Sequence, residues 1–565
     1  MTARFPETPM ATLDAAAATL AGRARAWVEV PLREKVGHLR EVMSRFGEVS
    51  ADLVRDALAA KGVDRSYAGE DWVSGPLSVL RTARFLAATL EGIDRTGRVP
   101  LPDGAIRERP DGQVAVDVMP GDGWDRIQYP RWRAEVRMER AVGYAEARHH
   151  LGGIHTKPDT AAAAVAVVLG AGNVASIGPL DLIHKLFVEG HVAILKFNPV
   201  NEYVGPHVEH AFTRLVDAGF VRFAYGGPSV GDHLVHHPSV DEVHLTGSEH
   251  TYNAVVFGPG AEGAARRARG EPLLRKRITA ELGNVSPVIV VPGRWKERDV
   301  VYQAEHVVTQ VVQNAGHNCN AAKVIVLPQR WPQRGAFLDA VEALLAARPE
   351  RPSYYPGTEQ RFARAAAGAA SVRVFGTARP GVIPPAIIED VDPREPSPAF
   401  TEEAFCQVVA TTSLPGDDPA EYLDRAVAFC NERLRGSLNA TLLIDTATGR
   451  SLGPALARAV SALRYGAVGV NLWAAAAFPL GVTPWGAFPG HPPSDIQSGS
   501  GFVHNARLVD RPEKTVMSAP FLQYPKPPWS VFHRHSAEAL ERAAAFEAGP
   551  GPIRLLRLLA SALRP

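Results

Sequence analysis

Cysteine is scarce in this sequence: three in 565 residues, Cys319, Cys406 and Cys430, none at CxxC spacing. An odd, sparse set excludes a disulfide framework and a cysteine-built zinc site, and it suits a reducing cytoplasm. An excess of one charge is missing as well. Lys and Arg number 61 against 60 Asp and Glu, so nothing points to a polyanionic partner such as nucleic acid. Clean apolar runs of membrane-spanning length are absent. The longest, residues 161–177, is broken by Gly170, Gly172 and Asn173 and reads as a buried strand entering a turn. The N-terminus lacks a basic start followed by an apolar stretch, so no secretory signal is expected. No internal repeat suggests a solenoid.

What is present is a soluble, globular composition, with 46% apolar and 21% charged residues, in a chain too long for one core. Residues 1 to about 95 carry apolar spacing near the helical period, as in REKVGHLREVMSRFGEV. Residues 96–160 lose that rhythm, and GQVAVDVMP and RWRAEVRMERAV read as strands or a protruding hairpin. From about residue 160, short apolar strands alternate with helical stretches, first in AAVAVVLGAG through VDEVHLTGS, then from SPVIVV through LNATLLI. That alternation predicts parallel βαβ units in two tandem α/β lobes with open twisted sheets. Beyond about residue 475 the chain turns Pro-rich and ends in a basic apolar helix, PIRLLRLLASALRP. Such a helix packs on its own subunit or lies on a membrane surface or partner, and self-packing is the expected state.

Chemistry concentrates in a few places. Cys319 sits in NAGHNCNAAK, a polar, glycine-containing turn between a helical run and an apolar strand, the setting a reactive thiolate needs. Cys406 and Cys430 lie in apolar or helical patterns and read as core. Glu281, in TAELGNVSP, enters a buried strand, so it is either paired structurally or kept for proton transfer. The stretch GAGNVA at residues 170–175 matches a dinucleotide fingerprint only weakly, because no acidic residue follows at the usual distance. Histidine pairs (His149 and His150, His236 and His237, His207 and His210) show no obvious completing ligand, so no metal site is expected. Glu402 and Glu403 lack any context for glycosidase chemistry.

Taken in order, these elements resemble the aldehyde dehydrogenase superfamily. The set comprises Asn173 at a strand end, Lys196 ending the next strand, Thr246-Gly247-Ser248, ELGxxSP at Glu281, NxGxxC at Cys319 and EExF at Glu402 to Phe405. The resemblance covers roughly residues 160–475. It implies Cys319 as nucleophile, Glu281 as the base that activates water, and Asn173 as an oxyanion donor beside the Cys319 backbone N–H. It further implies that Lys196, Gly247, Ser248, Glu403 and Phe405 bind NAD or NADP. The bland alternatives for that group are a surface lysine, an N-cap serine, a solvated charge and a core phenylalanine. The implied architecture is a cofactor domain (1–138 and 163–280), an oligomerisation hairpin (139–162), a catalytic domain (281–490) and a C-terminal extension (491–565). An open hairpin edge would favour a homodimer or homotetramer.

The sequence also departs from the pattern. His317 stands two before the cysteine, where it either helps ionise the thiol or merely hydrogen-bonds the backbone. Asn284 replaces a glycine and stiffens the turn beside Glu281. Pro199 replaces an acidic residue that would repel a 2′-phosphate, so NADP stands beside NAD. In place of the expected PFGGxK after Gly469-Val470-Asn471 comes an aromatic, Pro-rich stretch with Trp473, Phe478, Trp485 and Phe488. The resulting expectation is oxidation of a small-molecule aldehyde to a carboxylic acid. The alternatives are a coenzyme A-acylating dehydrogenase or acyl-CoA reductase, and a silent homologue acting as a binding protein.

Overall fold

Two sheets organise the chain in the computed structural model, which describes residues 5–416 and 418–564. The first has six strands in the order Gly499–Ser500, Arg277–Glu281, Glu242–Thr246, Val165–Leu169, Val192–Lys196 and Val221–Ala224. All neighbours are parallel except Gly499–Ser500, which runs antiparallel to Arg277–Glu281. Val165–Leu169 and Val192–Lys196 are buried along their whole length, as strands covered on both faces must be. The N-terminal helices Met10–Glu29, Leu32–Lys61 and Ser78–Thr96 form where helical periodicity was read. Trp27 anchors the first of them, fully buried, with its indole N–H donating to the Leu186 carbonyl at 3.0 Å.

The second sheet has eleven strands. Its middle is parallel: Pro512–Ser518, Ala467–Val470, Asn439–Leu443, Ser286–Val290, Ala322–Pro328, Val408–Leu414 and Ala386–Ile388. The helices Glu297–Val312, Arg334–Ala346 and Pro419–Arg433 connect these strands, so the second lobe is α/β, as expected. Cys430, on the last of those helices, and Cys406, just before Val408–Leu414, are both buried core residues.

Three boundaries fall differently from the sequence reading. Residues 139–162 contain short 3-10 turns and no named strand; the antiparallel hairpin lies just before them, at Val114–Met119 and Arg133–Met138. Gly143, Gly152, Gly153 and Pro158 interrupt any alternating pattern in the later segment, which accounts for the shift. The hairpin and the strand Ile106–Glu108 belong to the second sheet, not to the cofactor lobe in which residues 1–138 were placed. Finally, residues 491–565 are not an appendage. Gly499–Ser500 closes the first sheet beside Glu281, and Pro512–Ser518 pairs with Ala467–Val470 on one side and Arg133–Met138 on the other. The hairpin's inner edge is thus satisfied within the chain, and the open edge on that side of the sheet is the short strand Ile106–Glu108.

The chain ends in an antiparallel helical pair, Ser536–Ala548 and Pro552–Ala562. Leu555, Leu558 and Ala562 face inward against the chain, while Ile553, Leu556 and Leu563 are exposed. Among the described residues no helix is long and apolar enough to cross a membrane.

Candidate active site

The helix Glu297–Val312 delivers the chain into Asn314-Ala315-Gly316, three consecutive residues with left-handed backbone (φ 53°, 54° and 71°). For non-glycine residues this conformation costs about 1–2 kcal/mol each, so other contacts must hold it. The Asn314 backbone N–H donates to Glu70 Oε2 at 3.0 Å, and Lys61 Nζ donates to Asn314 Oδ1 at 2.9 Å. The Asn314 amide nitrogen in turn donates to the carbonyls of Asn173 and His317 and to Asn318 Oδ1. Lys61 is itself paired with Asp71 at 2.6 Å, and Glu70 with Arg351 at 2.9 Å, all in the interior. Gly316 is required because a Cβ there would lie 2.3 Å from the Cys406 carbonyl carbon. Three residues on, the loop presents Cys319.

Glu281 is the last residue of its strand and is 3% exposed. The Cys319 thiol donates to Glu281 Oε1 at 2.9 Å. Gly499 permits this arrangement: its φ is +116°, and a Cβ would come within 1.9 Å of the Ala280 carbonyl oxygen. Burial lifts the Glu281 carboxyl to about 7, opposed mainly by its bond to Cys319. The indole N–H of Trp485 approaches the same carboxylate and helps to hold it down, without closing a well-aligned hydrogen bond. Burial, and then the Glu281 charge, push the Cys319 thiol well above its usual range. The resting pair is therefore a neutral thiol facing a carboxyl that titrates near neutrality.

Asn173 donates from Nδ2 to the His317 carbonyl at 3.0 Å, and its own carbonyl accepts from the Tyr354 hydroxyl at 3.0 Å. A primary amide carries two N–H groups, so one of Asn173's is left over from the His317 bond, and Asn173 and Cys319 line the same chamber. The backbone N–H of Cys319 faces its own sulfur. His317 does not ionise the thiol. It is fully buried and bonded through Nε2 to Thr358 Oγ1 at 3.1 Å, and burial followed by the charge of Arg361 drives its pKa well below the imidazole range. Nor does its ring bond the backbone of its own turn: its partner is the Thr358 side chain, 41 residues on.

The remaining residues fall into two groups. Lys196 ends its strand buried, and no hydrogen bond joins its ammonium to another described side chain; burial lowers it to about 8, against the charges of Glu7 and Glu202. Gly247 and Ser248 are exposed at the carboxyl end of the neighbouring strand, where Ser248 caps the helix Glu249–Phe257 by accepting from Thr251 N–H at 3.1 Å. Glu403 lies next to the Glu281 turn, accepting from the Asn284 N–H at 3.2 Å, with its carboxyl raised to about 7 by burial. Asn284 does stiffen that turn, bonding Ser286 Oγ and the Asn439 carbonyl at 3.0 Å each. Phe405, at φ 45°, packs its ring against Tyr355 and His317. Glu402 points away to the exposed Arg364.

Several contributors escaped the sequence reading. Lys323, four residues after Cys319, is buried with its ammonium on the Cys406 carbonyl, and its charge holds Glu403 down. The C-x-x-x-K spacing was visible. Lys61, Glu70 and Tyr354 had no local signal, because only the fold brings them to Asn314. Among the described residues two groups have metal-like geometry: Glu189, His191 and Glu242, and Asp14, His233 and His237. In the first, Lys185 and Arg277 already neutralise the carboxylates. His207 and His210, which seemed to lack carboxylates, are paired with Asp56 and Glu48.

A chamber of about 660 Å³ opens onto Cys319 and Asn173. Of the aromatic segment, Trp473 and Phe478 line it, Trp473 being fixed by an N–H bond to the Asn320 carbonyl at 3.0 Å. Trp485 stands at Glu281 instead, and Phe488 lies under Lys514.

The chain is similar in sequence and fold to known proteins. The model of the aldehyde dehydrogenase family matches residues 165–482. The chain is 28% identical over 226 residues to aminoacetaldehyde dehydrogenase of Pseudomonas aeruginosa, covering 37% of this chain and 41% of that protein. It is 26% identical over 224 residues to 1-pyrroline-5-carboxylate dehydrogenase 2 of Bacillus subtilis, covering 36% and 40%. The match thus spans about two fifths of the length of these relatives. Among solved structures, aldehyde dehydrogenase C of Pseudomonas syringae, complexed with NAD+ and octanal, superposes with a TM-score of 0.60 at 17% identity, over 92% of this chain and 91% of that one. The NADP-dependent glyceraldehyde-3-phosphate dehydrogenase of Bacillus halodurans gives 0.56 at 17% identity, over 91% and 92%. With its model matched across more than half of the residues, the chain belongs to the aldehyde dehydrogenase family.

Proposed function

We propose that this protein oxidises an aldehyde to a carboxylic acid with NAD+ or NADP+, through a thioester on Cys319. The observation that carries the reading is the Cys319–Glu281 contact at 2.9 Å, with Cys319 on the lining of a chamber large enough for a small-molecule substrate. Glu281 accepts the thiol proton, and the sulfur adds to the aldehyde carbon. Asn173 Nδ2 and the Cys319 N–H are the donors for the oxyanion that forms, each typically worth about 3 kcal/mol to the barrier. A nicotinamide held by Lys196, Ser248 and Glu403 would supply the two-electron oxidant for this step, so that loss of hydride from the substrate carbon leaves an acyl group on Cys319. Glu281 first releases the thiol proton to solvent and then takes a proton from water; the hydroxyl adds to the acyl carbon, the C–S bond breaks, and the departing thiolate recovers a proton from Glu281, which restores the resting pair. A carboxyl poised near neutrality suits both transfers.

The residues fit a dinucleotide. Lys196 offers an uncompensated donor at the carboxyl ends of parallel strands, where such ligands bind. Gly247 and Ser248 expose a helix start suited to an anion. Glu403 and Phe405 stand toward the nucleophile, placed to hold a ribose and pack beside a ring. The three free cysteines support a cytoplasmic location. Assembly into a homodimer or homotetramer stays part of the reading, with the edge strand Ile106–Glu108 beside the hairpin left open to a partner.

The test is reduced-cofactor absorbance over a panel of aldehydes with NAD+ or NADP+. Turnover without coenzyme A that vanishes in Cys319→Ala supports the reading. Strict dependence on coenzyme A replaces it with the acylating alternative.

A further inference from the structure

We infer that the substrate is an aldehyde on a long, unbranched apolar chain, and that the C-terminal helical pair forms the roof of the chamber that selects it. This rests on the thioester reading above. The chamber wall includes Val174, Ile177, Trp473 and Phe478 together with Leu540 and Ala543 from Ser536–Ala548 and Leu558 and Ala562 from Pro552–Ala562. The roof is pinned. Arg81, 1% exposed, bonds Glu547 of the roof at 2.7 Å and Asp125 of the wall at 2.8 Å, and Arg84 adds a second bond to Glu547. Gly69 lets the roof approach closely, because a Cβ there would meet Ser536 Oγ at 2.0 Å.

These ion pairs consume the charge inside. Arg81 faces the chamber already neutralised by two carboxylates, so it offers nothing to an anionic substrate tail. Arg131, whose guanidinium has no described partner, is exposed. The lining residues Ile127, Tyr524 and Leu563 are 50%, 80% and 52% exposed, which puts apolar side chains at the mouth beside the exposed Arg131. Alkyl chain is what such a passage stabilises, at about 0.8 kcal/mol per methylene.

The test has two arms on the full-length protein. In the first, kcat/KM is measured for propanal, hexanal, octanal, dodecanal and hexadecanal with NAD+ or NADP+. It should rise about fourfold per methylene until the chamber is filled, and Ala562→Trp should lower the dodecanal-to-propanal ratio more than tenfold. In the second, which needs no turnover, dodecanoate should protect Cys319 of the wild-type protein from iodoacetamide at concentrations where propanoate does not. A flat or falling chain-length series without dodecanoate protection overturns the inference and leaves the thioester reading intact. Protection by dodecanoate with no aldehyde oxidised at any length supports the chamber and overturns the reaction.

Discussion

Cys319 and Glu281 meet at 2.9 Å from opposite sheets, the carboxylate ending a strand of the first and the thiol lying just before a strand of the second. The sulfur is the donor in that contact, so the pair rests with its proton on the thiol. Activity then depends on Glu281 being ionised. With its carboxyl raised to about 7 by burial, kcat should climb as pH rises through about 7, because only the deprotonated form accepts a proton. Glu281→Gln should lower turnover about 10²–10⁴-fold and remove that inflection. A wild-type profile flat across neutrality argues against Glu281 as the base.

Asn173 is tested on the transition state. Asn173→Ala should reduce kcat about 10²–10³-fold, the usual loss for one oxyanion donor, with less effect on KM. Iodoacetamide labelling of Cys319 separates this from collapse of the loop, since alkylation makes no oxyanion. A parallel loss of labelling would assign Asn173 to holding the His317 carbonyl.

Lys61 supports the strained loop from the N-terminal helices. Removing a buried charge strands its partner, so Lys61→Met should cost about 3–5 kcal/mol in denaturant unfolding by leaving Asp71 unpaired. Lys61→Met combined with Asp71→Leu should recover part of that stability but not activity, because Asn314 still loses its bond to Lys61. Full recovery of activity in the double variant contradicts the positioning role.

Glu403 sets stability against binding. Its folded carboxyl is raised to about 7 from 4.5, so the folded state holds this proton more tightly than the unfolded chain does. The resulting stabilisation is fully present below about 4.5 and is lost as pH rises through about 7. Glu403→Gln should therefore melt above the wild type at about pH 8, with the gap closing toward about pH 5, and should bind NAD+ or NADP+ more weakly. Equal melting at both pH values would show that the carboxylate is better compensated by Lys323 than its burial implies.

The sequence was informative where chemistry is local. Cys319, Glu281, Asn173 and Glu403 were found from short motifs, and the fold brings them to one place. The two α/β lobes followed from the alternation of apolar strands with helical stretches. Features made by distant segments were not legible. PIRLLRLLASALRP shows an apolar face, but nothing in it says that Leu558 and Ala562 face a chamber leading to Cys319. The cis pairing of Arg133–Met138 with Pro512–Ser518 depends on a register no local pattern records. His317 suggested thiol activation because adjacency in sequence was taken for adjacency of side chains; its ring turns instead to Thr358, Tyr354 and Tyr355.

The most direct test of the account is mass spectrometry of the protein quenched in acid during turnover of dodecanal with NAD+ or NADP+. The account predicts an added dodecanoyl mass on the peptide containing Cys319, formed only when oxidised cofactor is present and absent from Cys319→Ala. Reduction of the cofactor with Cys319 unmodified at every quench time, or an acyl adduct on Cys406 or Cys430, would contradict it.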